Sequence, residues 1–509
     1  MKRQIWKTAI MMGVAACMLT ACSGNKENSS VDSDRNKLTF LSNFPTDTLD
    51  PQLNYTPLRA GIVETLVKTT EDSQIEPWLA ESWKTLDNGT TWEFIIRDEV
   101  VFQNGKTLDA KAVKSSLERT MKVSEAMKAS LKIKEMKADG QKLTIVTQEP
   151  VASFPSELVH PNAAIIDVTE KNIEAHPVGT GPFEAVSSQP NSKLELKKND
   201  QYWDGESKLD RVTMLYNEDA NARTAGLQSG EADIVYRPEI ENLELLKKDE
   251  SLVVDVVPSL RTQMLLYNTN IEAFKDVNVR KAFDVLLNRQ DVVDYTLAGQ
   301  GVAANGPFLK EFSFAYDAPK KEFGTESAKE YLKKAGYKFE SNQVVKDGKQ
   351  LSFTILTYPY RPELPLMAQL IQSEAKKIGV KVEIQQVENI DEYMTTNSDW
   401  GIATYSLITA PRGDSSYFLN SVYGKDGFYN VGHYDNPALS DVIKQLNETV
   451  DEQKRVELTR QAGKIINDGV LHSAIVHPNN FVAYKENVKG WQMTKSEYYV
   501  ITKDLALQE

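Results

Sequence analysis

The chain is poor in the residues that build cross-linked or metal-held scaffolds: its 509 residues include only 2 cysteines and 5 histidines. Two cysteines cannot make a disulfide framework, and neither stands in a Cys-x-x-Cys pair suited to zinc. Positive charge is also in deficit, with 59 Lys plus Arg against 72 Asp plus Glu and a formal net charge of −13. That balance argues against a nucleic-acid partner, because phosphate backbones are gripped by clustered cations. After the leader no run reaches about 18 uninterrupted apolar residues, so no later segment spans a bilayer as a helix. Catalytic signatures are missing as well. Gly105-Lys106-Thr107 resembles the end of a phosphate loop, but the first glycine that loop requires is replaced by Val100, and Gly299-Gln300-Gly301 lacks the third glycine of a dinucleotide turn. No Gly-x-Ser-x-Gly elbow, His-Glu-x-x-His pair or calcium loop occurs, and His160, His176, His433, His472 and His477 are scattered. The chain is therefore expected not to be an enzyme, although counting alone does not dismiss a pair of glycosidase carboxylates in so acidic a protein.

What is present begins with an address. Lys2, Arg3 and Lys7 precede a mostly apolar stretch from Thr8 to Leu19, followed by Leu19-Thr20-Ala21-Cys22. The apolar run is short for a permanent span and reads as a signal peptide over residues 1–21. Leu19 to Cys22 resembles the lipobox of bacterial lipoproteins, which implies cleavage after Ala21 and a diacylglycerol on the Cys22 sulfur. Residues 22–36 hold one sizeable apolar residue, Val31, and are expected to be a flexible tether. The protein is thus expected outside the cytoplasm, anchored to the cell membrane by lipid only.

The body has an ordinary globular composition, 41% hydrophobic and 26% charged. Strand signals recur at Lys37 to Leu41, Trp92 to Ile96, Lys142 to Val146, Val212 to Tyr216, Ser352 to Leu356 and Val380 to Ile384. Between them lie helical faces: Val279, Ala282, Phe283, Leu286 and Leu287 in one, Met367, Leu370, Ile371 and Ile378 before Gly379 in another, and Leu439, Val442, Ile443 and Leu446 in a third. Interleaved strands and helices predict an α/β fold of at least two lobes.

Several motifs then follow in order. Glu81-Ser82-Trp83 leads to a tight Asn88-Gly89 turn, the strand Trp92-Glu93-Phe94, Arg97-Asp98, Phe102, Gly105 and a helix capped by Asp109. Pro177 to Phe183, Asn199 to Trp203, Leu227 to Asp233, and Val279 to Phe283 with Asn288-Arg289 come after. Together, over about residues 38 to 505, they resemble the peptide and nickel class of solute-binding proteins of ABC importers. The resemblance implies a two-lobed, periplasmic-binding-protein-like clamshell with an extra subdomain in lobe one. It places lobe one at 37–265, lobe two at 266–485 and a return to lobe one at 486–509. Most motif residues are expected to hold the fold rather than touch ligand. The implied function is capture of a small ligand by lobe closure and delivery to ABC permease and ATPase subunits, by a monomer. No cofactor is implied, although the ligand itself can contain nickel or another transition metal. A peptide-sensing receptor on the same fold and an extracytoplasmic lipoprotein hydrolase are the alternatives.

Ligands of this class share carboxylates that need cations and apolar parts that need aromatic walls. Candidate cleft residues are Tyr55 and Arg59, then His160 after a strand-like Phe154 to Val159, and Arg261 before the crossover to lobe two. Tyr358 and Arg361 follow the Phe353 to Leu356 strand, and Trp400, Tyr405, Arg412, Tyr417, Asn420 and Asn430 cluster between Ser398 and Tyr434. Arg412 leads this group, because Pro411 and Gly413 break the chain after a buried-looking strand, and its bland alternative is a surface pair with Asp414. His160 is the candidate metal ligand, directly or beside a chelator. Nickel-chelate binders of this class carry an aromatic-flanked arginine where this chain reads His160-Pro161-Asn162-Ala163, and a tryptophan near Met127. Both are missing here. Oligopeptide binders are usually longer, so a small anionic ligand, a metal chelate or a short peptide, is expected.

Overall fold

The computed structural model describes residues 36–508 apart from Asp426. The expected signal peptide, the lipidated Cys22 and the tether lie outside the described residues. All six anticipated strands are present. The Lys37–Ser42 strand is parallel to Arg211–Tyr216, and Thr91–Ile96 pairs antiparallel with Lys142–Thr147. Ser352–Thr357 runs parallel to Lys381–Gln386, joined by the helix Glu363–Lys377 in a βαβ unit. Asp109 caps the Ala110–Val123 helix through the Ala112 amide. The Phe154 to Val159 stretch differs from expectation. It forms a short helix, Phe154–Glu157, because Pro155 fits the first turn of a helix and cannot donate to a ladder.

Among the described residues two large hydrophobic cores divide the body, with a smaller cluster around Leu227, Val235 and Leu246 beside them. One gathers residues from Leu38 to Tyr236 and again from Val482 to Leu505, and the other runs from Met264 to Val476. An antiparallel four-stranded sheet, Ala80–Asp87, Thr91–Ile96, Lys142–Thr147 and Ile133–Asp139, packs its inner face, with Trp92, Phe94 and Ile145, into the first core. The fold is the expected two-lobed clamshell.

Two segments pass between the cores. Leu252–Pro258 turns into Arg261–Tyr267, and the 14-residue strand His472–Lys485 runs back alongside both. Its first half pairs with Arg261–Tyr267 and its second half with Leu252–Pro258 and Ile234–Tyr236. At the crossing the Ser259 hydroxyl donates to the Pro478 carbonyl at 2.7 Å. Arg261 therefore emerges at the junction, one residue after a buried leucine. Motif residues brace this frame: Arg280 donates to the carbonyls of Val470, Phe274, Lys275 and Gly469, and Tyr202 and Trp203 donate to the buried Glu64.

Candidate functional site

Four arginines from both cores converge on one carboxylate. Arg59 closes the helix Thr56–Arg59, Arg237 follows the buried strand Ile234–Tyr236, Arg261 opens its strand, and Arg361 follows Ser352–Thr357. The carboxylate belongs to Glu497 in the C-terminal return, which is buried and has a left-handed backbone, φ 62°. Burial alone would push the Glu497 carboxyl up, but Arg261, Arg59, Arg361 and Arg237 together hold it below its ordinary value. It stays ionised. Arg59 donates from Nε to the Glu497 backbone carbonyl at 3.0 Å and lies over the Phe44 ring at 3.9 Å.

The other three guanidiniums are held differently. Among the described residues, Arg237, Arg261 and Arg361 make no salt bridge and no side-chain hydrogen bond, and the Arg261 Nε is a buried donor without a partner. Arg361 is buried, and burial together with Arg261 and Arg237 brings it down to about 10. Arg237 and Arg261 are half-buried, and a cation shielded as Arg361 is, without a direct counter-ion, is costly unless an anion joins it. Glu363 stands nearby, accepting from the Gln263 amide at 2.6 Å.

Aromatic walls lie beside this cluster. Tyr358 and Tyr405 are buried with ring centroids 6.0 Å apart, and Tyr429 lies 6.3 Å from Tyr405. Burial pushes Tyr358 up to about 12 and raises Tyr405, whose hydroxyl donates to Asp391. Tyr55 packs edge-on against Tyr498, with its hydroxyl 3.1 Å from His160 Nε2.

Arg412 does not adopt the alternative of a surface pair. It does not pair with Asp414, which is taken by Arg455 at 2.6 Å. Instead it is 2% exposed, bonded to Glu157 and to the Ser130 hydroxyl of the first core, and stacked 4.0 Å from the Tyr417 ring centroid. Burial opposes its charge, but Glu157 and the surrounding tyrosines hold its value above the ordinary one. Its anion is already supplied by the protein.

His160 also departs from the metal-ligand expectation. Burial, then Arg412, depresses it well below the ordinary imidazole range, so it is neutral. Its Nδ1 accepts the Asn162 amide at 3.1 Å, capping the turn Pro161–Ala163, so the proton is on Nε2. A nitrogen that carries a proton toward Tyr55 offers no lone pair to a metal. Among the described residues no group of three or more His, Cys, Asp or Glu side chains is placed to hold a metal ion.

Three further candidates have structural posts. Trp400 is 1% exposed inside the second core, its indole donating to Asn397. Asn430 staples its own loop through the carbonyls of Gly424 and Tyr434. Asn420 exchanges hydrogen bonds with Asn447 at 2.9 Å while lining a cavity of ≈ 730 Å³ with Ser130, Glu157, Tyr417 and Tyr429. The structure thus brings Tyr55, Arg59, Arg261, Tyr358, Arg361, Tyr405 and Tyr417 together and withdraws Trp400 and Asn430. Sequence reasoning missed Arg237 and Glu497. Arg237 had a signal, an arginine and a proline directly after three buried strand residues, where α/β sheets present their ligand-facing ends.

A two-lobed α/β body with unpaired arginines and tyrosines at the junction of its cores defines a clamshell solute-binding protein. A family model for bacterial extracellular solute-binding proteins, family 5 (middle), matches residues 74–430, and the chain belongs to that family. It is similar to the nickel-binding protein NikA of Staphylococcus aureus, 34% identical over 489 residues that cover 96% of each chain. The crystal structure of that protein with Ni(L-His)2 superposes with a TM-score of 0.80, covering 93% of this chain and all of the other at 33% identity. A nickel ABC transporter protein from Bacillus halodurans gives a TM-score of 0.81 at 50% identity, over 93% of this chain and 100% of that one. The oligopeptide-binding protein AppA of Bacillus subtilis is 28% identical, with 99% of each chain covered. The chain is accordingly a solute-binding protein of the peptide and nickel class of ABC importers, a class of transport rather than of catalysis, and its family is extracytoplasmic.

Proposed function

We propose that this protein captures a small metal chelate, with nickel the leading metal, through the carboxylates of the chelator, and delivers it to the permease and ATPase subunits of its importer. The observation that carries this reading is the set Arg237, Arg261 and Arg361, drawn from both cores and free of salt bridges among the described residues. Guanidinium forks match carboxylates in two-point contact. Because the described residues offer no metal-ligand cluster, the donors to the metal come with the chelator. Tyr55, Tyr358, Tyr405 and Tyr429 would exclude water around it. The similarity to proteins named for nickel, one of them solved with a nickel–histidine complex, points the same way.

A short peptide is the second reading, supported by the ≈ 730 Å³ cavity beside the tyrosines and by the similarity to AppA. A hydrolase is less well supported, because Glu157 and Glu497 face arginines rather than each other. A receptor that senses peptide without transport would use the same cleft.

In this reading lobe one comprises 37–265 and 486–509, and lobe two 266–485. The changes of core between Tyr236 and Met264 and between Val476 and Val482 support that division, with the second exchange a few residues before 485. Ligand that touches both lobes shifts the population toward the closed state. A lipid on Cys22 would keep the monomer beside its transporter, outside the cytoplasm. Native mass spectrometry of protein purified from its own growth medium tests the ligand. A nickel-sized mass on a small chelator supports the chelate reading, and a heterogeneous set of peptide masses supports the other.

A further inference from the structure

The contact between Arg412 and Glu157 joins side chains 255 residues apart, one from each core, and both are almost wholly removed from water. Glu157 ends the short helix Phe154–Glu157 and also accepts the Ser130 hydroxyl, so its Oε2 meets two donors. The neighbourhood is a seam. Next to Arg412, Gly413 has φ 69°, and a Cβ there would collide with the Ser73 carbonyl oxygen of the first core. A few residues before Glu157, the Ala152 amide donates to the Asn447 carbonyl of the second core at 2.9 Å. Three independent contacts, one ionic, one steric and one backbone, therefore connect the cores along the loop 410–414 and the segment 150–157.

We propose that Glu157 is a positioning residue for ligand capture: with Ser130 it forms a closure latch on Arg412, and it sets ligand affinity without touching the ligand. The latch rests on the solute-binding reading given above. Its logic is differential. When the lobes meet, the two charges are desolvated together and pair, with only the Arg412 Nε left as a buried donor without a partner among the described residues. When the lobes part, each returns to water, so the pair contributes to the closed state alone. Removing one partner strands the other in the seam, and closure becomes less favourable although each lobe keeps its own core. Arg412 is thereby assigned to lobe closure, and ligand carboxylates are left to Arg237, Arg261 and Arg361.

The test is a double-mutant cycle on the full chain with Glu157→Gln, Arg412→Met and the double variant. Each is titrated with nickel(II) plus two equivalents of L-histidine, while hydrogen exchange at the Ala152 amide is followed in the same solutions. The latch predicts that each single variant binds on the order of 100-fold more weakly and that the double variant is no weaker than the worse single. Protection at Ala152 falls in step, while the core strands Thr91–Ile96 and Ser352–Thr357 exchange as in the parent. Unchanged affinity in Glu157→Gln, or losses that simply add in the double variant, would overturn it. If the parent protein does not take up this probe, the chelate reading fails first and the exchange data decide the latch. Faster exchange at Ala152 in Glu157→Gln then supports it, and equal rates contradict it.

Discussion

The Nε of Arg59 donates to the backbone carbonyl of Glu497, not to its carboxylate, across 438 residues of chain. The C-terminal return is thus tied to the first helix, and the charges of Arg261, Arg361 and Arg237, with that of Arg59, keep the Glu497 carboxyl below its ordinary value against its burial. A built-in anion of this kind lets several guanidiniums share one cleft before ligand arrives.

Glu497→Gln removes that anion and leaves mutually repelling cations. Thermal or urea unfolding at neutral pH is expected to show a loss of about 2–4 kcal/mol, partly recovered by added salt. Parent-like stability would show that the arginines do not depend on Glu497.

Arg361 tests the ligand-facing side. Arg361→Met is expected to weaken binding of a carboxylate chelate roughly 10- to 100-fold by calorimetric titration. Arg361→Lys should fall between, because lysine keeps the charge but loses the two-pronged fork.

His160 separates a direct metal ligand from a turn cap. Asparagine can also accept a backbone amide at the start of a turn, so His160→Asn should change nickel–histidine affinity by less than about tenfold. Loss of binding would show that the imidazole contacts the metal.

His472 supplies a pH dependence. It lies between Tyr423 and Tyr434, with ring centroids at 5.1 and 5.2 Å, and neither nitrogen has a partner among the described residues. Burial holds it down at about 3. The unfolded chain therefore binds the proton first, and stability falls as pH drops below the ordinary value near 6.5 toward that lower one. By about pH 5 this group alone removes ~2 kcal/mol. His472→Leu, which sacrifices no hydrogen bond, should unfold at a higher temperature than the parent at that pH. His160 and His477 are depressed too, so part of the acid sensitivity should remain.

Much of the fold was legible because strand alternation, the Asn88-Gly89 turn and caps such as Asp109 are local signals. The cleft was legible in part: Arg361 follows a recognisable strand, and Arg261 stands before the expected crossover to lobe two. Glu497 gave no signal, because its importance comes from arginines that are neighbours in space and distant in sequence. Trp400 and Asn430 misled for the opposite reason. Large aromatic and amide side chains in a long loop look like ligand contacts, and only packing reveals that one fills the core and the other closes its own turn. Arg412 stands out in the sequence as an arginine in a broken loop, and its anion comes from the opposite core.

The central claim, that the arginine cleft recognises the carboxylates of a metal chelate, is tested most directly by titrating the protein with nickel(II) alone and with nickel(II) plus L-histidine. The account predicts saturable one-to-one binding only when the amino acid is present, and its weakening by roughly 10- to 100-fold in Arg361→Met. Equal binding of bare nickel(II), or chelate binding untouched by Arg361→Met, would contradict it.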